Sequence, residues 1–227
     1  MSNDGAPSGA GEVSGPGVEP RARRARFVNP VWIVTVVAVA AIAIMGLLFV
    51  SGFIGHSMVS GTSFSDPQLA SASQISAWEN QSNSSATAFS GNNTLWVHGG
   101  SPWMMIMMSP MGHDMTFVIN GLVDPTIHVP LGTHLTVMIS NMDLTMLHNW
   151  VLSNLAPPYS EDPMMDGGGM MGGSHEMWGS SMMGEPQRGM DWSQQLGFTL
   201  STPGQFWYLC TYPSHASDGM YGSFVVG

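Results

Sequence analysis

From Thr94 to its C-terminus, this 227-residue chain breaks into short strand-length stretches, each closed by a turn signal. Residues 95–98, 115–122, 126–129, 134–141, 148–152, 197–200, 205–211 and 221–226 all have this character. Several alternate apolar and polar positions, as 133–141 does, which is the period of a half-buried strand. Asn120-Gly121, the Val129-Pro130-Leu131-Gly132 run and Pro203-Gly204 punctuate them, each suited to a tight turn. No long amphipathic helix intervenes. Many short strands with frequent turns predict an all-β sandwich or barrel.

The last strand pair carries the chemistry. Residues 206–226, FWYLCTYPSHASDGMYGSFVV, hold the only cysteine, Cys210, with His215 five residues on and Met220 five beyond. A strand would deliver the Cys, a Pro/Gly-containing loop the His and Met, and a second strand would leave. Taken singly, a Cys is most often a small buried hydrophobe, a Met a core filler and a His a surface residue. Together on one strand–loop–strand unit they form a soft, mixed ligand set. One more imidazole would complete the two-His, one-Cys, weak-axial-Met set of a blue copper ion. Zinc also takes Cys and His, but a structural zinc prefers more thiolates and thioether is a poor ligand for it. His98, His113, His128, His134 and His175 compete with His148 for the missing position. His134 alternates with apolar neighbours as a strand-surface residue does; His148 opens a strand after the turn-like segment 141–145 and is the natural donor.

Composition excludes other classes. Charged residues make up 9% of the chain, the formal net charge is −10, and four of the five cationic side chains (Arg21, Arg23, Arg24, Arg26) precede residue 27. Nothing remains to neutralise a phosphate backbone, so nucleic acid is not an expected partner. A single Cys excludes an internal disulfide and any multi-thiolate metal site.

Ahead of the strands, residues 1–26 are Gly/Pro/Ser/Ala-rich and predict a disordered cytoplasmic tail. Within 27–55, the uncharged apolar run 31–54 would span about 36 Å as a helix, enough for a hydrocarbon core of about 30 Å. The flanking arginines would stay inside, which places everything beyond the anchor outside the cell. The run is longer than a cleaved signal sequence needs, so an uncleaved single-pass anchor is expected. Residues 56–93, rich in Ser and Asn, predict a stalk. Asp66-Pro67 would start a short helix there, and Asn80, Asn83 and Asn92 begin acceptor triplets for glycans. Residues 94–227 form the predicted folded domain, interrupted at about 156–194 by a Met/Gly-rich insertion with paired Met164/Met165, Met170/Met171 and Met182/Met183.

The segment TPGQFWYLCTYPSHASDGMYGSFVV resembles the C-terminal copper-binding segment of the cupredoxins. Four residues separate Cys210 from His215, and four separate His215 from Met220, a spacing similar to that of rusticyanin and sulfocyanin. The anchor, the stalk and the long insertion make the chain look most like sulfocyanin of acidophilic archaea. The resemblance covers about residues 94–227. It implies a Greek-key β-sandwich preceded by one transmembrane helix, and one type 1 copper held by His148, Cys210, His215 and Met220. It also implies that Asn149 donates its backbone N–H toward the copper-bound sulfur. The ring edge of His215 would reach the surface through an apolar patch near Pro213, Ala216 and Met220.

The function so implied is electron transfer, not catalysis: a membrane-anchored carrier cycling Cu(I)/Cu(II) outside the membrane. Its partner would be a respiratory complex such as a terminal oxidase or cytochrome complex, with no small-molecule substrate. The alternative is a Met-rich copper storage or delivery protein, since thioethers favour Cu(I). Beyond residue 54 there are twelve acids and one Arg, formally −11 (12 minus 1). Such a surface avoids cationic self-repulsion at low pH and predicts an acidic exterior.

Overall fold

Alternation along the strands decides what lies inside. The computed structural model describes residues 57–166 and 175–227. The expected tail (1–26), the anchor (27–55) and the middle of the insertion (167–174) lie outside the described residues. No helix among the described residues is long and apolar enough to cross a membrane.

Among the described residues, fourteen strands form two sheets. The first is built from β1 (Val59–Phe64), β2 (Gln68–Ala70), β5 (Trp103–Met108), β6 (Phe117–Ile119), β7 (Leu122–Val123), β9 (His134–Asn141) and β12 (Asp191–Leu200). Its order is β1-β12-β9-β5-β6-β7, with β2 also on β12. The second is built from β3 (Ala86–Phe89), β4 (Thr94–Val97), β8 (Thr126–Val129), β10 (Val151–Ser153), β11 (Met177–Gly179), β13 (Gly204–Leu209) and β14 (Tyr221–Val226). Its order is β11-β10-β13-β14-β8-β4-β3. Most pairs are antiparallel; β5 with β9, β4 with β8 and β8 with β14 are parallel. Leu135, Val137 and Ile139 of β9 meet Leu196, Phe198 and Leu200 of β12 and Phe206, Tyr208 and Phe224 of the second sheet in one buried core. These are the period-2 positions of each strand.

β5, with sequence WMMIMM, does not alternate, and sequence reading passed over it. Both of its faces are covered. Met104, Ile106 and Met108 enter the core between the sheets, while Met105 and Met107 lie under helix α1 (Ala72–Ser85) with Ile75, Val118 and Met138. A strand buried on both faces is a continuous apolar run. Ser82 fastens the helix to the sheet: its hydroxyl accepts the Met105 N–H at 2.9 Å and donates to Asn120 Oδ1 at 2.6 Å.

The expected stalk is corrected here. Residues 57–93 belong to the folded body: β1 pairs β12, β2 pairs β12, and β3 pairs β4. The helix expected at Asp66-Pro67 starts instead at Ala72, because Gln68–Ala70 is taken up by pairing with Asp191–Ser193. Gln74 Oε1 accepts both the backbone N–H and the hydroxyl of Ser71, which fixes the helix start. The insertion is also not loose throughout: Met177–Gly179 pairs with β10, and β12 begins at Asp191. The Asn120-Gly121 turn forms as predicted, with φ of 48° and 74°, the left-handed pair a two-residue hairpin requires.

Candidate metal centre

Cys210 directly follows β13, and Met220 directly precedes β14. Their backbones continue the β13–β14 ladder by one step, with Cys210 N–H donating to Met220 O at 3.2 Å. The loop between them is closed by Met220 N–H to His215 O at 2.9 Å and His215 N–H to Tyr212 O at 3.1 Å. Sequence spacing thus becomes geometry: the ladder sets Cys210 and Met220 side by side, and the tight loop turns His215 back over them.

His148 comes from outside this hairpin. It stands ahead of β10 and forms an isolated antiparallel bridge with Met183, His148 N–H to Met183 O at 3.2 Å and the return bond at 2.8 Å. Because β10 pairs β13, His148 is carried to the end of the sandwich where Cys210 emerges. Its Nδ1 lies 3.8 Å from Cys210 Sγ and 3.1 Å from His215 Nδ1; His215 Nδ1 lies 3.4 Å from Cys210 Sγ. All three residues are buried, and their donor atoms fall within 4.8 Å of one another, with no other such His/Cys/acid group among the described residues. Met220 is fully buried and shares the core cluster with Cys210.

The electrostatics suit a metal and little else. Burial pushes the Cys210 thiol up to about 11, against the opposing effect of backbone N–H groups from Asn149 and Tyr212 that donate to the sulfur. Burial also holds His148 and His215 below the usual imidazole range; Asp143 works against this at His148, and the neighbouring His148 adds to it at His215. Two neutral imidazoles and a thiol thus face one point. Bonds of about 2.0–2.3 Å at angles of roughly 100–120° would put donor atoms about 3.1–3.8 Å apart, which matches the three separations here. Two imidazoles, one thiolate and a buried thioether beside them suit copper. The donor set and fold indicate one type 1 copper.

The other histidines are elsewhere. His98 bonds Thr87, His128 stacks on Trp96 and His134 bonds Thr199, while His113 and His175 are exposed. The expected exposed edge of His215 is not found: the residue is 2% exposed. Tyr212 packs on its ring at 4.6 Å. The start of the insertion also closes on the loop, with Ser214 N–H donating to Glu161 O and Tyr159 packed with Leu209 and Ala216.

The expected Asn149 N–H to the Cys210 sulfur is present, but sequence reading missed the side-chain bonds behind the donors. Asn149 Oδ1 accepts the Thr211 N–H at 2.8 Å and its amide donates to Thr211 Oγ1 at 2.8 Å, tying the two ligand segments together. His148 Nε2 faces Asp143 Oδ2 at 3.0 Å and Ser109 Oγ at 3.2 Å. An Asp-x-Thr turn just ahead of a histidine was the available signal for Asp143. Ser109 had none, being brought in from the end of β5.

No family model matches the chain. Rusticyanin from Acidithiobacillus ferrooxidans is 26% identical over 115 residues, which is 49% of this chain and 54% of that protein. Rusticyanin from Acidithiobacillus ferridurans is 25% identical over the same length. The chain spans about half the length of the curated relatives it matches. Among solved structures, rusticyanin from Thiobacillus ferrooxidans superposes with a TM-score of 0.62 at 21% identity, covering 72% of this chain and 98% of that one. Reduced rusticyanin gives a TM-score of 0.62 at 21% identity, covering 71% and 100%.

Proposed function

We propose that this chain, a rusticyanin-like blue copper protein with the cupredoxin fold, is a one-electron carrier whose copper cycles between Cu(I) and Cu(II). The observation that carries the proposal is the convergence of His148 Nδ1, Cys210 Sγ and His215 Nδ1 in a buried pocket. We assign these three and the Met220 thioether as the ligands. When bound, the copper supplies the redox couple. The protein supplies a buried, mixed-ligand cage acceptable to both oxidation states. Four protein ligands leave no position for a substrate, which supports a carrier over an enzyme.

The finer reading is that of a membrane-anchored, sulfocyanin-like carrier of a respiratory chain, with its copper domain outside the cell membrane. It is supported by the arginines at 21–26 and the apolar run 31–54. Its partner would be a membrane complex such as a terminal oxidase or cytochrome complex. Exposed apolar side chains that line one surface hollow with Ser109 and Asp143, Leu144 at 70% and Met111 at 92%, would suit a small redox encounter surface.

Copper storage or delivery is the second reading, favoured by the exposed Met164 and Met165 at the start of the insertion. Repeated chemical reduction and reoxidation, followed by metal analysis, separates the two. A carrier keeps one copper per chain through every cycle. Release of copper on reduction, or binding of several ions per chain, would favour storage and contradict the carrier.

A further inference from the structure

We propose that Asp143 is a positioning residue of the copper centre, holding His148 in the tautomer that frees Nδ1 for the metal and lowering the reduction potential through its charge. This rests on the copper reading above and extends it to a residue outside the ligand set.

The carboxylate is itself rigidly held. Asp143 Oδ1 accepts the Thr145 N–H at 2.8 Å, the Thr145 hydroxyl at 2.9 Å and the Met146 N–H at 3.1 Å. Its other oxygen faces His148 Nε2 at 3.0 Å. The Asp143 N–H in turn donates to Asn141 Oδ1 at 3.1 Å, and the Asn141 amide reaches Met146 O, Met183 O and Gly184 O at 2.9–3.0 Å. Asn141 therefore joins the end of β9, the 142–147 loop and the returning arm of the insertion. Met183 from that arm is the residue that brackets the His148 backbone.

A carboxylate accepts only, so the proton of neutral His148 belongs on Nε2. Nδ1 is then bare, and it is Nδ1 that points to Cys210 and His215. Ser109 Oγ also lies beside Nε2, but it accepts the Met115 N–H at 2.9 Å and carries no charge. Asp143 is the only carboxylate within 4.0 Å of the His148 ring nitrogens among the described residues, and its side chain is 12% exposed. A fixed negative charge one imidazole away favours Cu(II) over Cu(I). Outer partners of this kind orient the ring and raise its basicity, both in the same sense.

Two measurements test this. In the metal-free protein, nitrogen-15 correlation spectra should show His148 protonated on Nε2, with Asp143→Ala mixing the tautomers. A wild-type His148 carrying its proton on Nδ1 would overturn the proposal, whether or not copper binds. In the copper-loaded protein, Asp143→Asn retains an acceptor at the same place and removes the charge. It should raise the midpoint potential with the visible band retained, and Asp143→Glu should restore a value near wild type. Ser109→Ala should shift the potential less. A potential that stays put or falls in Asp143→Asn would overturn the proposal while leaving the carrier reading intact. Absence of a blue centre in the wild type would instead contradict the function proposed above.

Discussion

At the scale of single residues, the centre is held apart from water. The Cys210 thiol, pushed up to about 11 by burial, is protonated at neutral pH in the metal-free protein. The two imidazoles, held below their usual range by burial, are neutral. Loading Cu(II) between pH 7.5 and 9 should therefore release about one proton per copper, from the thiol. Pocket affinity should rise with pH over the same interval. Proton counting by calorimetry in buffers of different ionisation enthalpy checks this. Asn149 is the second residue to probe. Asn149→Ala strips the buried Thr211 N–H of its acceptor and should cost about 1–3 kcal/mol of stability, read as a lower denaturant midpoint. The grouping of Cys210, His215 and Met220 was legible in the sequence because one hairpin holds them at regular spacing. His148 was legible through its turn-then-strand setting and the family resemblance. Ser109 and Thr211 were not, and Asp143 left only its Asp-x-Thr turn as a signal, since their partnerships come from loops folded together across the end of the sandwich.

At the scale of elements, the hairpin that carries the centre depends on one close approach. Tyr208 of β13 lies opposite Gly222 of β14, and its ring crosses the space a side chain there would fill. A Cβ at Gly222 would stand 2.1 Å from the Tyr208 hydroxyl oxygen. Tyr208 is fully buried and donates to Pro125 O at 2.7 Å, so it has no room to yield. Gly222→Ala should therefore destabilise the domain by at least about 1–3 kcal/mol and weaken copper retention, with Gly222→Ser no better. Thermal unfolding of the metal-free variant measures the first effect without the second. Strands with clean alternation, such as β8 and β9, appear in the structure with the bounds their sequence predicts. β5 was hidden because it is apolar on both faces. β1 to β3 were hidden because Ser- and Asn-rich edge segments look like linker until a neighbouring strand pairs with them. The paired methionines of the insertion divide: Met183 enters the core, while Met164 and Met165 face solvent.

At the scale of the whole molecule, one buried carboxyl makes stability depend on pH. Asp124 sits against the core, and burial raises its carboxyl from 3.8 to about 7 while it accepts the Phe117 N–H. The folded state therefore holds this proton more tightly than the unfolded chain does. The resulting stabilisation is complete below about pH 3.8 and is lost as pH rises toward 7, a contribution of at most about 4 kcal/mol. Unfolding free energy should fall between pH 4 and 7, and Asp124→Asn should flatten that slope. An unchanged slope in the variant would place the dependence elsewhere. The central claim, however, is a single redox-active copper in the pocket of His148, Cys210, His215 and Met220. The direct measurement is a titration of the folded, metal-free protein with Cu(II), followed by its visible absorption. An intense sulfur-to-copper band that saturates at one equivalent, bleaches with ascorbate and is absent in Cys210→Ser is the predicted result. A colourless complex, or a band that survives the loss of Cys210, would contradict it.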